Sequence, residues 1–189
     1  LNLLRKGVHP SDITVICRDL DKYQHQLEYS FEKYNVPYYN DERQNISSQP
    51  LIMFVNFLFR ISEFYYKSDD IFSLIKTGLT KLDTQEVGRL ENYVFLWNIN
   101  GAKWKKEFVD SPRGISESMS DNDLKTLAKI NKSREYISSR LQKFISSTKN
   151  TDAKGISKAV YYTLLDFGVD ESLKTLAASL NSNGKSVLA

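Results

Sequence analysis

The sequence predicts an α/β fold of predominantly helical content, in which a partial βαβ unit is followed by an all-helical subdomain. Two short apolar segments, Ile13–Cys17 and Val36–Tyr39, flank an amphipathic segment, and this order is typical of two parallel strands joined by a right-handed helical crossover. After Tyr39 the apolar residues recur with helical spacing, and no further strand is predicted. The chain is therefore expected to begin with a small α/β unit and to continue as a helical body.

The composition indicates an ordinary globular protein, since 41% of the 189 residues are hydrophobic and 26% are charged. The net charge of +3 is mildly basic and compatible with a nucleic-acid partner. Cys17 is the one cysteine, which excludes an internal disulfide and is typical of a reducing compartment. The longest apolar segment, 51–64, contains charged residues and is shorter than the roughly 20 residues of a membrane span. We therefore expect a cytoplasmic protein with no membrane partner.

The N-terminal elements follow from turn and cap residues. Leu1–Lys6 has the pattern of a helix end that Gly7 terminates, and Asp21–Tyr34 is predicted as the crossover helix, ended by Asn35. The sequence starts without Met and reaches Ala189 without an evident structural end, so we expect a piece of a larger protein.

The helical body is predicted from apolar periodicity and capping pairs. Pro50 fits the first turn of a long helix that reaches about Tyr66, and its nearly all-round apolar surface predicts the central buried helix. Asp83 with Glu86, and Ser120 with Asp123, have capping-box spacing. Further helices are expected over 69–76 (capped by Ser68), 84–97, 121–147 (as one helix or two), 156–167 (ended by Gly168) and 171–180.

The segment 98–114 is expected to be a long irregular connection that carries a basic cluster. Lys103, Lys105 and Lys106 surround Trp104, and cations beside an exposed aromatic ring can neutralise phosphates and stack a base. The alternative is that Trp104 anchors the loop to the core while the lysines are simply solvated. Arg113 is a further candidate for phosphate contact.

Little else in the sequence carries recognisable chemistry. His9 and His25 have no partners at metal-ligand spacing, so we predict no metal site and no catalytic residue in this chain. Arg18 follows the first predicted strand, where ligands bind in open α/β sheets. It has a structural alternative, an ion pair with one of three nearby acids, namely Asp19, Asp41 and Glu42.

Two stretches resemble known DNA-processing proteins. The segment Ile13–Ile61, which contains Ile-Thr-Val-Ile-Cys-Arg and Tyr-Asn-Val-Pro-Tyr-Tyr, resembles the start of the second motor domain of UvrD-type superfamily 1 helicases. The segment Lys76–Trp104, which contains Leu-Glu-Asn-Tyr-Val and Gly-Ala-Lys-Trp, resembles the B subunit of AddAB/RexAB helicase–nucleases. Those bacterial complexes resect double-strand DNA ends for recombinational repair.

The resemblance implies a domain layout and a set of partners. Residues 1–67 would form part of the RecA-like motor domain 2A, and residues 68–189 an incomplete helical insertion, 2B. Arg18 matches the motif IV arginine that approaches the γ-phosphate in active motors, although Asp19 and Leu20 replace the usual Ser-Asn. The parent complex would use ATP and Mg, act on a DNA duplex end or single strand, and include an A-type helicase–nuclease subunit.

Three functional hypotheses result. The first is a non-catalytic scaffold and DNA-channel wall within a double-strand-break-resecting helicase–nuclease subunit, with no ATP hydrolysis or DNA cleavage by this chain alone. The second is part of an active superfamily 1 helicase, in which Arg18 serves ATP hydrolysis. The third is a helical adaptor that docks on another protein through an exposed apolar patch.

Overall fold

The computed structural model describes residues 2–20, 22–39, 46–115 and 118–182, which divide into two compact units, Leu1–Asn45 and Ile46–Ala189. The helices are α1 (Asn2–Arg5), α2 (Gln24–Lys33), α3 (Pro50–Glu63), α4 (Ser68–Ile75), α5 (Thr84–Leu96), α6 (Asp121–Thr148), α7 (Ala153–Phe167) and α8 (Val169–Ser182). Short 3₁₀ helices cover Pro10–Asp12, Ile46–Ser48 and Gly101–Lys105.

The prediction of an α/β fold with a partial RecA-like βαβ unit is wrong, because the described residues contain helices and no strand. Ile13–Cys17 and Val36–Tyr39 are irregular chain. Val15 is 59% exposed and Ile16 is 89% exposed, so this segment is not a buried strand. Two parallel strands alone form few backbone hydrogen bonds and need cover on both faces, and such a pair is too small to be stable.

The predicted crossover helix is present within the first unit as α2, and it ends as the sequence indicates. Asn35 has φ +49°, in the left-handed region that Asn tolerates, and the Val36 N–H donates to the Phe31 carbonyl at 2.9 Å. The Phe31 and Tyr38 rings pack at 4.9 Å. The helix therefore has local reasons to form that do not require a sheet.

The second unit is organised around α6, which packs against α3, α5, α7 and the 3₁₀ helix Gly101–Lys105. The prediction that the helix after Pro50 would be the central buried one is therefore wrong: Phe59 and Phe64 of that segment are exposed. Arg60 donates from Nε to the buried Asp70 Oδ1 at 2.9 Å and joins α3 to α4. The buried apolar side chains of α6 are Leu127, Ile130, Ile137, Leu141 and Phe144.

Both predicted capping boxes are confirmed. The Glu86 N–H donates to the Asp83 side chain at 2.7 Å, and Ser120 and Asp123 form the same reciprocal pair at the start of α6. Gly168 ends α7 in the left-handed region at φ +74°. These caps depend on residues three or four positions apart, which is why the sequence predicts them well.

Two further predictions need correction or remain open. The prediction that Ser68 caps α4 is wrong, because its hydroxyl donates to the Ile99 carbonyl, and Lys67 occupies the cap position without a side-chain hydrogen bond. The compact units divide between Asn45 and Ile46, so α3 belongs to the second unit. Assignment of the chain to motor and insertion domains stays a prediction.

Within the described ranges, no helix has the length and apolar character to cross a membrane.

Candidate nucleic-acid interface

The basic loop, defined here as residues 98–106, is fastened to the α3–α4 corner, residues 64–67. The Gly101 N–H donates to the Tyr66 carbonyl at 3.0 Å, and the Ser68 N–H donates to the Asn100 side-chain oxygen at 3.0 Å. Gly101 has φ +60°, a conformation that costs glycine little. Backbone groups on both sides are thus paired across two segments that are distant in sequence.

Trp104 anchors this loop to the core. Its side chain is fully buried, its indole N–H donates to the Ser68 hydroxyl at 2.8 Å, and its ring packs edge-on against Phe72 and Phe108. In this structure Trp104 has no ring face free to stack on a base. Its contacts match the anchoring alternative that the sequence left open.

Side chains of α6 hold the loop backbone from the other side. The buried Arg134 donates to the Trp104 carbonyl at 3.2 Å and to the Asn131 side-chain oxygen at 3.1 Å, and it pairs with Glu135 at 2.9 Å. The Asn131 amide also binds the backbone N–H and carbonyl of Phe108, at 2.9 and 2.8 Å. Because a buried charge is costly without partners, this network indicates a well-determined loop conformation.

Three lysine side chains of the basic loop are exposed to solvent. Lys103, Lys105 and Lys106 are all exposed, and the Lys103 ammonium donates to the Asn98 carbonyl at 3.3 Å. The Lys105 ammonium lies 4.8 Å from the Tyr65 ring centre and 4.9 Å from that of Tyr66. Such cation–π contacts are worth about 0.5–1 kcal/mol at exposed sites. The arrangement presents ammonium groups that phosphate oxygens can approach.

The exposed aromatic residue beside these lysines is Tyr65, which sequence reasoning missed. Tyr65 is 57% exposed, whereas its neighbour Tyr66 is buried, and burial raises the pKa of Tyr66 to about 12. The one feature of the sequence that could have indicated an exposed ring here is the pair Tyr65–Tyr66 just after α3. Its proximity to Lys105 is a tertiary contact that no local pattern reveals.

Arg113 is engaged at the start of α6. Its Nε lies 2.6 Å from Asp123 Oδ1, and its Nη2 donates to the Ser120 hydroxyl at 3.2 Å. Hydrogen bonds from the Ser120 side chain and backbone, and then the Arg113 guanidinium, lower the pKa of Asp123. This is a helix-start contact, and a DNA contact of Arg113 stays a prediction.

Arg18 lies in the first unit, in an exposed irregular segment and not at the end of a strand. A shallow depression there is lined by Arg18, Asp19, Lys22 and Tyr23, and Lys22 pairs with Asp19 at 2.8 Å. Asp41 and Glu42, the other suggested partners of Arg18, lie outside the described residues. The nucleotide-proximal role of Arg18 stays a prediction.

Nearly the whole chain is similar to curated proteins that are named as the B subunit of an ATP-dependent helicase/deoxyribonuclease. A relative from Clostridium perfringens is 34% identical over 178 residues, which are 90% of this chain and 15% of the relative. A relative from Clostridium novyi is 31% identical over 188 residues, 98% of this chain and 16% of the relative. The chain belongs to this family and is homologous to one segment of these B subunits. No protein-family model matches it.

The homology confirms the resemblance to the B subunit of helicase–nucleases. A third relative with the same name, from Thermoanaerobacter sp., is 29% identical over 176 residues, 92% of this chain and 15% of the relative. The chain thus spans about 15% of the length of the curated relatives it matches. Within this segment, the basic loop carries three exposed lysines, and one of them, Lys105, lies beside the exposed Tyr65 of the α3–α4 corner.

Proposed function

We propose that the whole protein is the B subunit of an ATP-dependent helicase–nuclease that acts in recombinational DNA repair, and that this segment is a non-catalytic scaffold and DNA-channel wall. Homology to B subunits over at least 90% of the chain is the observation that carries the proposal. For the whole protein the proposal includes ATP and Mg as cofactors, DNA as substrate, an A-type partner subunit and a cytoplasmic location.

The basic loop is the proposed DNA contact of this segment. Its lysines project from a backbone that Trp104 and Arg134 hold in place, so little conformational freedom of the backbone is lost when a phosphate binds. Glu107 follows the last lysine and leaves a net charge of +2 over residues 103–107, from three lysines and one glutamate. Contacts of this kind position a DNA backbone and carry no sequence preference of their own.

The test is fluorescence-anisotropy binding of this chain to forked DNA across a salt series. The Lys103→Ala, Lys105→Ala, Lys106→Ala variant is compared with a control that removes the same charge from three other exposed lysines, Lys154, Lys158 and Lys174. We expect the loop variant to bind more weakly and to lower the slope of log K against log salt by up to about 3, because each phosphate contact contributes about 1.

The control separates a specific surface from general charge. If the two triple variants lose equal affinity, binding reflects net charge and the loop is not the DNA surface. If the unmodified chain does not bind at low salt, the proposed DNA contact fails, and a scaffold or adaptor role without DNA is left.

A further inference from the structure

Tyr65 is an exposed aromatic ring on an unusually well-fixed backbone. Its φ of +49° and the φ of +59° at Tyr66 are rare for aromatic residues and are kept only where surrounding contacts impose them. Those contacts are present: the Tyr66 N–H donates to the Ile61 carbonyl at 3.1 Å, and the Tyr66 carbonyl accepts from Gly101 at 3.0 Å. The backbone that carries the Tyr65 side chain is therefore held in place by contacts within the chain.

The basic loop lies against this ring and leaves more than half of the Tyr65 surface exposed. A Cβ built on Gly101 would lie 3.7 Å from Tyr65 Cδ1, so the loop backbone passes alongside the ring, while the side chain stays 57% exposed. The Lys105 ammonium lies 4.8 Å from the ring centre. An exposed aromatic ring and an ammonium group, which is able to bind a phosphate, thus lie side by side.

Another tyrosine–lysine grouping, on α2, lacks this combination. Lys33 lies 5.8 Å from the rings of Tyr29 and Tyr34, and all three are close in sequence. Glu28 and Glu32 belong to the same helix, and carboxylates repel a phosphate backbone. The pairing at Tyr65 is the one that adjoins a cluster of lysines.

We propose that Tyr65 is a base-stacking residue for single-stranded DNA, with Lys105 binding the adjacent phosphate. Stacking on tyrosine tolerates any base and requires an unpaired one, since duplex bases are already stacked on each other. The inference rests on the proposed DNA contact of the basic loop and deepens it by naming the form of DNA.

The experiment measures binding of this chain to a labelled single-stranded oligonucleotide and to a duplex of the same length. The variants are Tyr65→Asn, which removes the ring but suits a left-handed backbone, and Tyr65→Phe, which keeps a stacking ring. Tyr161→Asn is the matched control, because Tyr161 is 59% exposed on α7. Circular dichroism verifies that each variant is folded.

We expect Tyr65→Asn to weaken single-strand binding about tenfold and to leave the salt slope unchanged, because stacking releases no counterions. Tyr65→Phe and Tyr161→Asn should bind as the unmodified chain does, and duplex affinity should change little. An oligonucleotide with a 2-aminopurine base should lose fluorescence on binding, and this quenching should disappear with Tyr65→Asn.

Three results would overturn the inference. Unchanged single-strand affinity in Tyr65→Asn, together with a loss in the triple lysine variant, refutes stacking and leaves the proposed function intact. An equal loss on duplex and single strand shows that Tyr65 acts on the backbone and not on a base. Absence of binding by the unmodified chain removes the proposed DNA contact and this inference with it.

Discussion

The basic loop and the segment Ile13–Arg18 both lie outside the α-helices, and they differ in what surrounds them. The loop has modest local signals, yet its indole, carbonyl and amide groups are bound by Ser68, Arg134 and Tyr66. Ile13–Arg18 has the stronger local pattern, with its β-branched residues, yet Val15 and Ile16 are exposed. For these two segments, contacts with distant groups, and not the strength of the local pattern, decide which one is held in place.

The largest expected effect comes from Trp104→Ala. The substitution removes a fully buried ring and its hydrogen bond to Ser68, so we expect the free energy of unfolding to fall by about 3–5 kcal/mol. Urea denaturation followed by circular dichroism measures it. Trp97→Ala is the comparison, since that ring is only partly buried, and it should cost less. A loss below about 1 kcal/mol for Trp104 would mean that the loop is not anchored as described.

A smaller effect on stability is expected at low pH, when the Asp123 carboxylate at the start of α6 becomes protonated. The folded-state pKa of Asp123 is lowered, so its ionised form contributes stability above the unfolded-state pKa, and that contribution is lost as pH falls through the folded-state pKa. Asp123→Asn should therefore flatten the dependence of Tm on pH over the acidic range. Thermal melts from about pH 6 down to about pH 2 measure this dependence.

The control for that melt series is Asp121→Asn, which makes the same charge change in the first turn of the same helix. It leaves the Ser120 and Arg113 contacts of Asp123 in place. If both variants flatten the Tm profile equally, the effect belongs to the helix dipole and not to this side-chain network.

The smallest effect on stability is expected from a substitution in the segment Ile13–Arg18. Ile16→Ser should change the free energy of unfolding by no more than about 0.5 kcal/mol, because Ile16 is 89% exposed. Ile137→Ser, at a fully buried position on α6, should cost several times more in the same urea titration. A large loss for Ile16 would indicate that this segment is covered in the folded protein after all.

Much of the helical body was predictable because its signals are local. Asp83 with Glu86 and Ser120 with Asp123 form the expected capping boxes, and Gly168 ends α7. The basic segment after α5 is irregular, as expected, except for one short 3₁₀ helix that the sequence did not predict. In the candidate site, the sequence identified the three exposed lysines, left open whether Trp104 is exposed or anchors the loop, and did not single out Tyr65.

The order of the helices in the second unit, the two capping boxes and the end of α7 at Gly168 follow from the sequence alone. These depend on hydrogen bonds and spacings within three or four residues. Only the tertiary structure decided that α6 is central, that no sheet forms among the described residues, and that Trp104 is buried while Tyr65 meets Lys105. Burial and strand pairing depend on partners distant in the chain, and only the folded chain brings those partners together.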